Sequence, residues 1–325
     1  MNIKHSLLLS FLALSLMASA QQIEINEENF PDENFRNYLL EQSYSHKDFY
    51  GNWYIWEFDC DYGITYMHIS NRNIKSLKGI EYFSALQELF CDDNQLTSLD
   101  VSKNTELTIL SCCNNLLTSL NASNIPKLEY LYCFNNQLTS LDVSNDSALV
   151  VLKCELNQLA SLDVSKNPAL VTLVCSSNQI TSLSVSNNNE LLYLWCFSNQ
   201  LRGEAMDALI DGLPLNTADY GKQLMVYYDE SDGNICTTKH VAAAKEKGWV
   251  SYCYNGTHVD EFLLGEVMDW LEYEGYDNDP NYIAQPTTEM TEANAPVYNL
   301  AGQRIESLKG RKGIFIVGGK KVLVK

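Results

Sequence analysis

Eight side chains in one stretch of this sequence have the types and spacing that recognition chemistry uses. They are Tyr130, Tyr132 and Phe134, then Lys153 and Glu155, then Tyr193, Trp195 and Phe197. Within each aromatic triplet the rings alternate with apolar residues (Leu131 and Cys133, Leu194 and Cys196). In an extended segment all three rings therefore leave on one face. Flat π faces stack on partner side chains or on sugar rings, and Lys153 and Glu155 add charge and hydrogen bonds. The positions between the triplets hold the smaller Val151, Thr172, Val174 and Ser176. Two aromatic walls around a shallower floor is the composition of a recognition surface. Covalent chemistry has no comparable signature. The sequence has no G-x-S-x-G, H-E-x-x-H, phosphate-binding glycine loop or Cys-x-x-Cys pair, and His46, His68, His240 and His258 lie scattered. The expectation is a binding protein and not an enzyme, with no catalytic residues and no cofactor.

A hard cation has one candidate loop. The 12 residues from His46 to Glu57 resemble an EF-hand loop, with Gly51 at the sharp turn, Trp53 at position eight and Glu57 at the bidentate place. Positions one and five are His46 and Tyr50, where that pattern wants carboxylate or amide oxygens. Asp48 and Glu57 remain as the calcium candidates, and the loop reads as vestigial and free of metal.

The element that must position the eight side chains is a repeat. From Leu86 to Leu201 the unit L-x-x-L-x-C-x-x-N-x-L-x-x-L-x-V recurs every 21 residues, six times without an insertion. Its cysteine is Cys91, Cys112, Cys133, Cys154, Cys175 and Cys196; its asparagine is Asn94, Asn115, Asn136, Asn157, Asn178 and Asn199. The second leucine and the cysteine are two apart, so both point inward from a short strand while the residues between face out. One turn cannot bury its own apolar side, so turns must stack into a parallel sheet. The asparagine, polar inside an apolar column, reads as a structural ladder that satisfies backbone groups. Ile64, Met67, Ile69, Ile74 and Leu77 form a first, seventh turn, with Arg72 in the place of the asparagine. The pattern resembles the leucine-rich-repeat family in its short bacterial, internalin-like version. That resemblance implies an α/β fold: a solenoid with its parallel β-sheet on the concave face, used to bind proteins.

The flanking segments complete the architecture. Residues 1–20 read as a secretory signal, with Lys4, an apolar Leu7–Leu16 centre and cleavage near Ala20. Residues 21–63 read as a helical N-terminal cap, with Pro31 and Asp32 starting a helix that carries Phe35, Tyr38, Leu39 and Gln42. Repeats fill 64–202. Residues 203–276 read as an α/β C-terminal cap: a helix from Gly203 to Leu213, a strand Leu224–Tyr228 able to pair with the last rung, a helix from Thr237 or Thr238 to Lys247, and a strand Trp249–Tyr254. His258–Tyr276 is left unassigned. Residues 277–296 read as a linker. Residues 297–325 alternate apolar residues around Gly318-Gly319 as a small all-β module. This tail resembles the carboxy-terminal sorting tails of bacteria with type IX secretion, which implies delivery to the outer cell surface or the medium.

Charge and cysteines narrow the partners. Residues 21–296 hold 14 Lys+Arg against 40 Asp+Glu, a net charge of −26, while 297–325 hold seven bases and one acid, +6. So acidic a body argues against nucleic acid and against an anionic membrane. No later run reaches membrane-spanning length. Six of the ten cysteines recur at one inward position, where their Cβ vectors run parallel, so they read as reduced, buried thiols. Cys113, one place after Cys112, faces out and reads as an exposed thiol. Together these readings point to a secreted or cell-surface adhesion or host-interaction protein whose concave aromatic face takes a protein ligand. A glycan stacked on the same rings is the alternative.

Overall fold

The computed structural model describes residues 21–122, 124–216, 221–227 and 232–253, residue 275, and the backbone of five short strands between 271 and 324. The signal, the linker at 277–296, the Gly318-Gly319 turn and most of the unassigned stretch lie outside the described residues.

The amino-terminal region mixes helix and sheet. Helix α1 (Glu33–Leu40) starts at Asp32, whose Oδ1 accepts from Phe35 N at 3.0 Å. The other oxygen, Oδ2, accepts from Lys75 N and Ser76 N, so one carboxylate caps the helix and holds the first repeat turn. Phe35, Tyr38 and Leu39 fill the buried side of the helix. Strands β1 (Gln22–Glu24), β2 (Ser45–Lys47) and β3 (Trp53–Trp56) form an antiparallel sheet in the order β1-β3-β2.

The span that resembles an EF-hand loop is therefore a β-hairpin, and the helical reading of 21–63 gives way to a mixed one. His46 pairs with Tyr54 and Lys47 with Trp53 across β2 and β3. Asp48 accepts from Asn52 N at 2.8 Å and Asn52 Nδ2 at 3.0 Å, which ties the carboxylate into the hairpin turn. Gly51 does take the left-handed conformation, at φ 95°. Glu57 follows the end of β3 and donates its N–H to Gln21 O. The run Trp53-Tyr54-Ile55-Trp56 is rich in strand formers, and pairing it removes the loop that a cation would need.

Stacked turns make up the centre. Strands β4 (Tyr66–His68), β5 (Glu88–Phe90), β7 (Ile109–Ser111), β9 (Tyr130–Tyr132), β10 (Val151–Lys153), β11 (Thr172–Val174) and β12 (Tyr193–Trp195) run parallel in register. Met67, Leu89, Leu110, Leu131, Leu152, Leu173 and Leu194 align as one column, all 0 % exposed. Each such leucine contributes roughly 1.5–3 kcal/mol by leaving water. On another side of the turns, β6 (Ser98–Asp100) and β8 (Ser119–Asn121) pair in parallel.

The asparagine column does what its position demands. Asn115 Nδ2 donates to Cys91 O, Cys112 O and Cys113 O, while its Oδ1 accepts from Leu96 N. The same four-way pattern recurs at Asn136, Asn157, Asn178 and Asn199. In the first turn Arg72 has no such side chain to offer, and its own N–H is taken by Asn94 Oδ1. The cysteines also bond between rungs, with Cys91 Sγ donating to Ser111 O at 3.3 Å.

Past the repeats, the sheet continues. Helix α2 (Glu204–Asp211) leads to β13 (Lys222–Tyr227), which pairs in parallel with β12, Leu194 opposite Leu224. Helix α3 (Thr238–Glu246) leads to β14 (Trp249–Cys253), parallel to β13, and β15 (Leu271–Glu272) pairs antiparallel with β14. Trp249 is buried and donates from Nε1 to Pro214 O at 2.8 Å. The tail is a separate four-stranded antiparallel sheet: β16 (Val297–Asn299), β17 (Arg304–Ile305), β18 (Gly313–Val317) and β19 (Lys320–Val324), ordered β17-β16-β18-β19. Val317 pairs with Lys320, so β18 and β19 form a hairpin.

Candidate functional site

Strand register sets the geometry of the concave face. Tyr130, Val151, Thr172 and Tyr193 lie in one row, and Tyr132, Lys153, Val174 and Trp195 in the next. The two aromatic triplets thus stand three strands apart, roughly 14 Å at the usual strand spacing. Tyr130, Tyr132, Phe134, Trp195 and Phe197 are half-buried and Tyr193 is 37 % exposed. Between them Val151, Thr172, Val174 and Ser176 are buried, at 7 %, 7 %, 3 % and 3 % exposure. The rings are thus more exposed than the residues between them.

Charge on this face is distributed unevenly. Lys153 Nζ sits 5.8 Å from the centroid of the Tyr132 ring, a cation–π contact. Glu155 is half-buried as a residue, but its Oε2 is closed to water and accepts no hydrogen bond. Burial pushes its carboxyl up to about 7, with a hydrogen bond from its own backbone N–H and then the Lys153 charge opposing only in part. Asp92, at the equivalent position three turns earlier, is well supplied: its Oδ1 accepts from Ser111 Oγ at 2.6 Å and Cys113 N at 2.7 Å.

Cys113 is not an exposed thiol. It does lie on the outward side, with Sγ 3.8 Å from Ser111 Oγ, but it is 3 % exposed and burial pushes its thiol up. Asp92 and Phe134, at the same position on the flanking rungs, explain why facing out and reaching solvent differ here. Cys60 and Cys236 are buried and Cys253 is half-exposed.

Several groups escape a reading by repeat alone. Tyr66 and His68 occupy the outward positions of the first turn, and His68 stacks 4.6 Å from Phe90 and 5.9 Å from Tyr66. Carrying the outward register back one turn would have found them. The amino-terminal region also shows Phe49, Tyr50, Phe58 and Tyr62 at 64–96 % exposure, where no periodicity points to a face. His46 Nε2 lies 3.7 Å from Asp59 Oδ2, a pair that sequence spacing did not suggest. Beside it in the chain, Asp61, Tyr62, Ser84, Gln87 and Glu106 line an open cleft of about 430 Å³. Among the described residues no three of His, Cys, Asp and Glu converge as a metal site, and Asp48 and Glu57 form no part of one. No described helix is long and apolar enough to cross a membrane.

Turn after turn, the register repeats with one leucine, one cysteine and one asparagine inward. The chain is a leucine-rich-repeat solenoid. Solved structures similar to this leucine-rich-repeat chain include bacterial internalins. The functional domain of InlJ from Listeria monocytogenes, which includes a cysteine ladder, is 30% identical over 56% of this chain and 49% of that one, with a TM-score of 0.36. The repeat chain thus spans about half the length of that domain. An internalin, InlF, from the same organism is 17% identical over 71% of this chain and 91% of that one, with a TM-score of 0.26. A leucine-rich-repeat protein of Leptospira interrogans is 16% identical over 57% and 59%, with a TM-score of 0.39. No family model and no curated relative matches. The assignment of the fold rests on the repeat geometry of this chain itself.

Proposed function

We propose that the chain is an exported binding protein, not an enzyme, that takes a protein ligand on its concave face between the two aromatic walls. The observation that carries this reading is the relief of the face. Half-buried rings of Tyr130, Tyr132, Phe134, Trp195 and Phe197, and the exposed ring of Tyr193, stand beside a floor of buried small residues. Rings held this way already have part of their rotamer entropy removed, and the area they still expose is apolar, which suits interface anchors. The amino-terminal α1 region and the β13–β14 region close the two ends of the array in this reading, and the tail serves as a sorting signal to the cell surface or the medium.

The test is binding of the full chain, with parallel Tyr132→Ala and Trp195→Ala variants, to arrays of extracellular matrix proteins and of glycans. Each substitution is expected to cost about 2 kcal/mol, roughly thirtyfold in affinity, for a protein ligand, with circular dichroism unchanged. Binding that ignores both changes removes the site from this face. Capture on the glycan array alone, abolished by either variant, replaces the protein ligand with a sugar.

A further inference from the structure

Glu155 lacks two of the side chains that serve its counterpart three turns earlier. At Asp92, donors come from the next rung, Ser111 Oγ and Cys113 N, and Ser70 Oγ lies within 3.5 Å from the rung before. At Glu155 the residue matching Ser111 is Val174, and the residue matching Ser70 is Phe134. Neither of these two side chains has a hydrogen to give; Ser176 stands in the place of Cys113 and the Glu155 N–H bonds the carboxyl, yet Oε2 is left buried and unpartnered. Leaving such a group unmet is costly, of order 1–3 kcal/mol and more when it is charged. The one nearby cation on the strand, Lys153, lies over the Tyr132 ring, and no ion pair joins it to Glu155.

The next residue adds a second anomaly. Each turn has a left-handed residue here, and it is Asn71, Asp93, Asn114, Asn135, Ser177 and Ser198 in six turns but Leu156 in this one, at φ 56°. Asparagine and aspartate tolerate that conformation; leucine pays roughly 1–2 kcal/mol for it. Leu156 is also 45 % exposed, an apolar side chain displayed beside the unmet carboxylate. Two unfavourable choices, adjacent in one turn and lying between two aromatic walls, are what a site completed from outside looks like.

We propose that Glu155 receives a basic side chain, arginine or lysine, that a partner protein inserts between the walls, with Leu156 packing against its aliphatic stem. This rests on the concave face being the ligand surface. Charge favours the assignment locally, since the unmet group is acidic and the repeats at 64–202 hold 12 acids against eight bases. The Tyr132 and Phe134 rings lie one rung before the carboxylate in the register and Trp195 two rungs after it, and a guanidinium between a carboxylate and aromatic faces satisfies both. Glu155 keeps some contact with solvent as a residue, so rotation of its side chain is enough to meet an incoming donor.

The experiment titrates the full chain with a tetraarginine peptide and with its uncharged tetracitrulline counterpart, at about pH 6 and about pH 8, either side of the Glu155 midpoint. The variants are Glu155→Gln and, as a control for the general acidic field, Glu204→Gln on α2. Expected are tetraarginine affinity at least about tenfold lower in Glu155→Gln than in Glu204→Gln, a rise in wild-type affinity from the lower to the higher pH that Glu155→Gln flattens, and no binding of tetracitrulline. Equal weakening in both variants, or a pH response that survives Glu155→Gln, overturns the proposal. The aromatic variants keep it distinct from the broader reading. An array ligand lost in Tyr132→Ala and Trp195→Ala but held by Glu155→Gln sinks the cation site alone, and a ligand held by all three sinks both.

Discussion

At the scale of single residues, the interior shows which polar side chains an apolar stack tolerates. Asn104, Asn167 and Asn188 form a second, fully buried asparagine set, three residues after the closing valine of their turns. Each donates twice: Asn167 Nδ2 to Val143 O and Asp146 O, and Asn188 Nδ2 to Val164 O and Asn167 O. Asp146 holds that place in one turn, is 0 % exposed, and has no second donor to offer. Ionised it has none at all, and burial pushes its carboxyl up to about 7. The sign follows: the folded state favours the protonated acid, so stability from this group is full below the ordinary carboxylate value and is lost as pH rises towards about 7. Asp146→Asn is therefore expected to stabilise the chain by roughly 1–3 kcal/mol at about pH 8, and by little at about pH 4, in urea titrations at both. A gain of equal size at both would remove ionisation as the cause. The thiols give a second check. Of the ten cysteines nine are buried and Cys253 is half-exposed, so a thiol reagent is expected to modify the native chain fastest at Cys253 and to reach the buried ones only on denaturation.

At the scale of the element, what was legible depended on whether a residue's neighbours repeat. The 21-residue spacing places Leu, Cys and Asn correctly because each meets a copy of itself one rung away. Asn234 has no such spacing, yet it continues the ladder: Nδ2 donates to Cys196 O and Val226 O, and Oδ1 accepts from Leu201 N. A long excursion through α2 and β13 separates it from Asn199, and only the fold brings it back. The second asparagine set was hidden for a related reason, since Ile125 and Asp146 interrupt it. The hairpin at β2 and β3 was misread because a turn closed by Asp48 and Gly51 shares those residue types with a cation loop, and spacing cannot tell a strand from a helix on either side. Cys113 shows the limit of reading a face from alternation, which gives direction and not depth. The aromatic walls were legible as positions, and the relief between them needed the packed floor.

At the scale of the molecule, the array behaves as a sum of turns and their contacts. Removing residues 138–158, one full period, keeps every register position in place and brings Tyr132 one strand nearer Trp195 along their shared row, by about 4.8 Å. The shortened chain is expected to fold with a lower melting temperature, as one interface fewer is buried. It is also expected to lose a ligand that spans both walls, and a far-ultraviolet circular dichroism melt beside the array assay checks both. A ligand still bound by the shortened chain would place its contacts on one wall only. The net −26 of residues 21–296 lies mostly outside this array, whose residues 64–202 hold 12 acids against eight bases, so the turns are close to neutral and the inner columns hold them together against little repulsion.

The asparagine ladder also has a direction. Every member reaches towards the preceding turn: Asn115 Oδ1 to Leu96 N, Asn136 Oδ1 to Leu117 N, Asn199 Oδ1 to Ile180 N. A turn is thus completed by the one made after it. Synthesis delivers the amino-terminal end first, so each turn leaves the ribosome with an N–H still waiting, and its partner arrives one period later. The growing chain carries a single unfinished edge that moves with it, and the last wait, at Leu201, ends only when Asn234 has been translated.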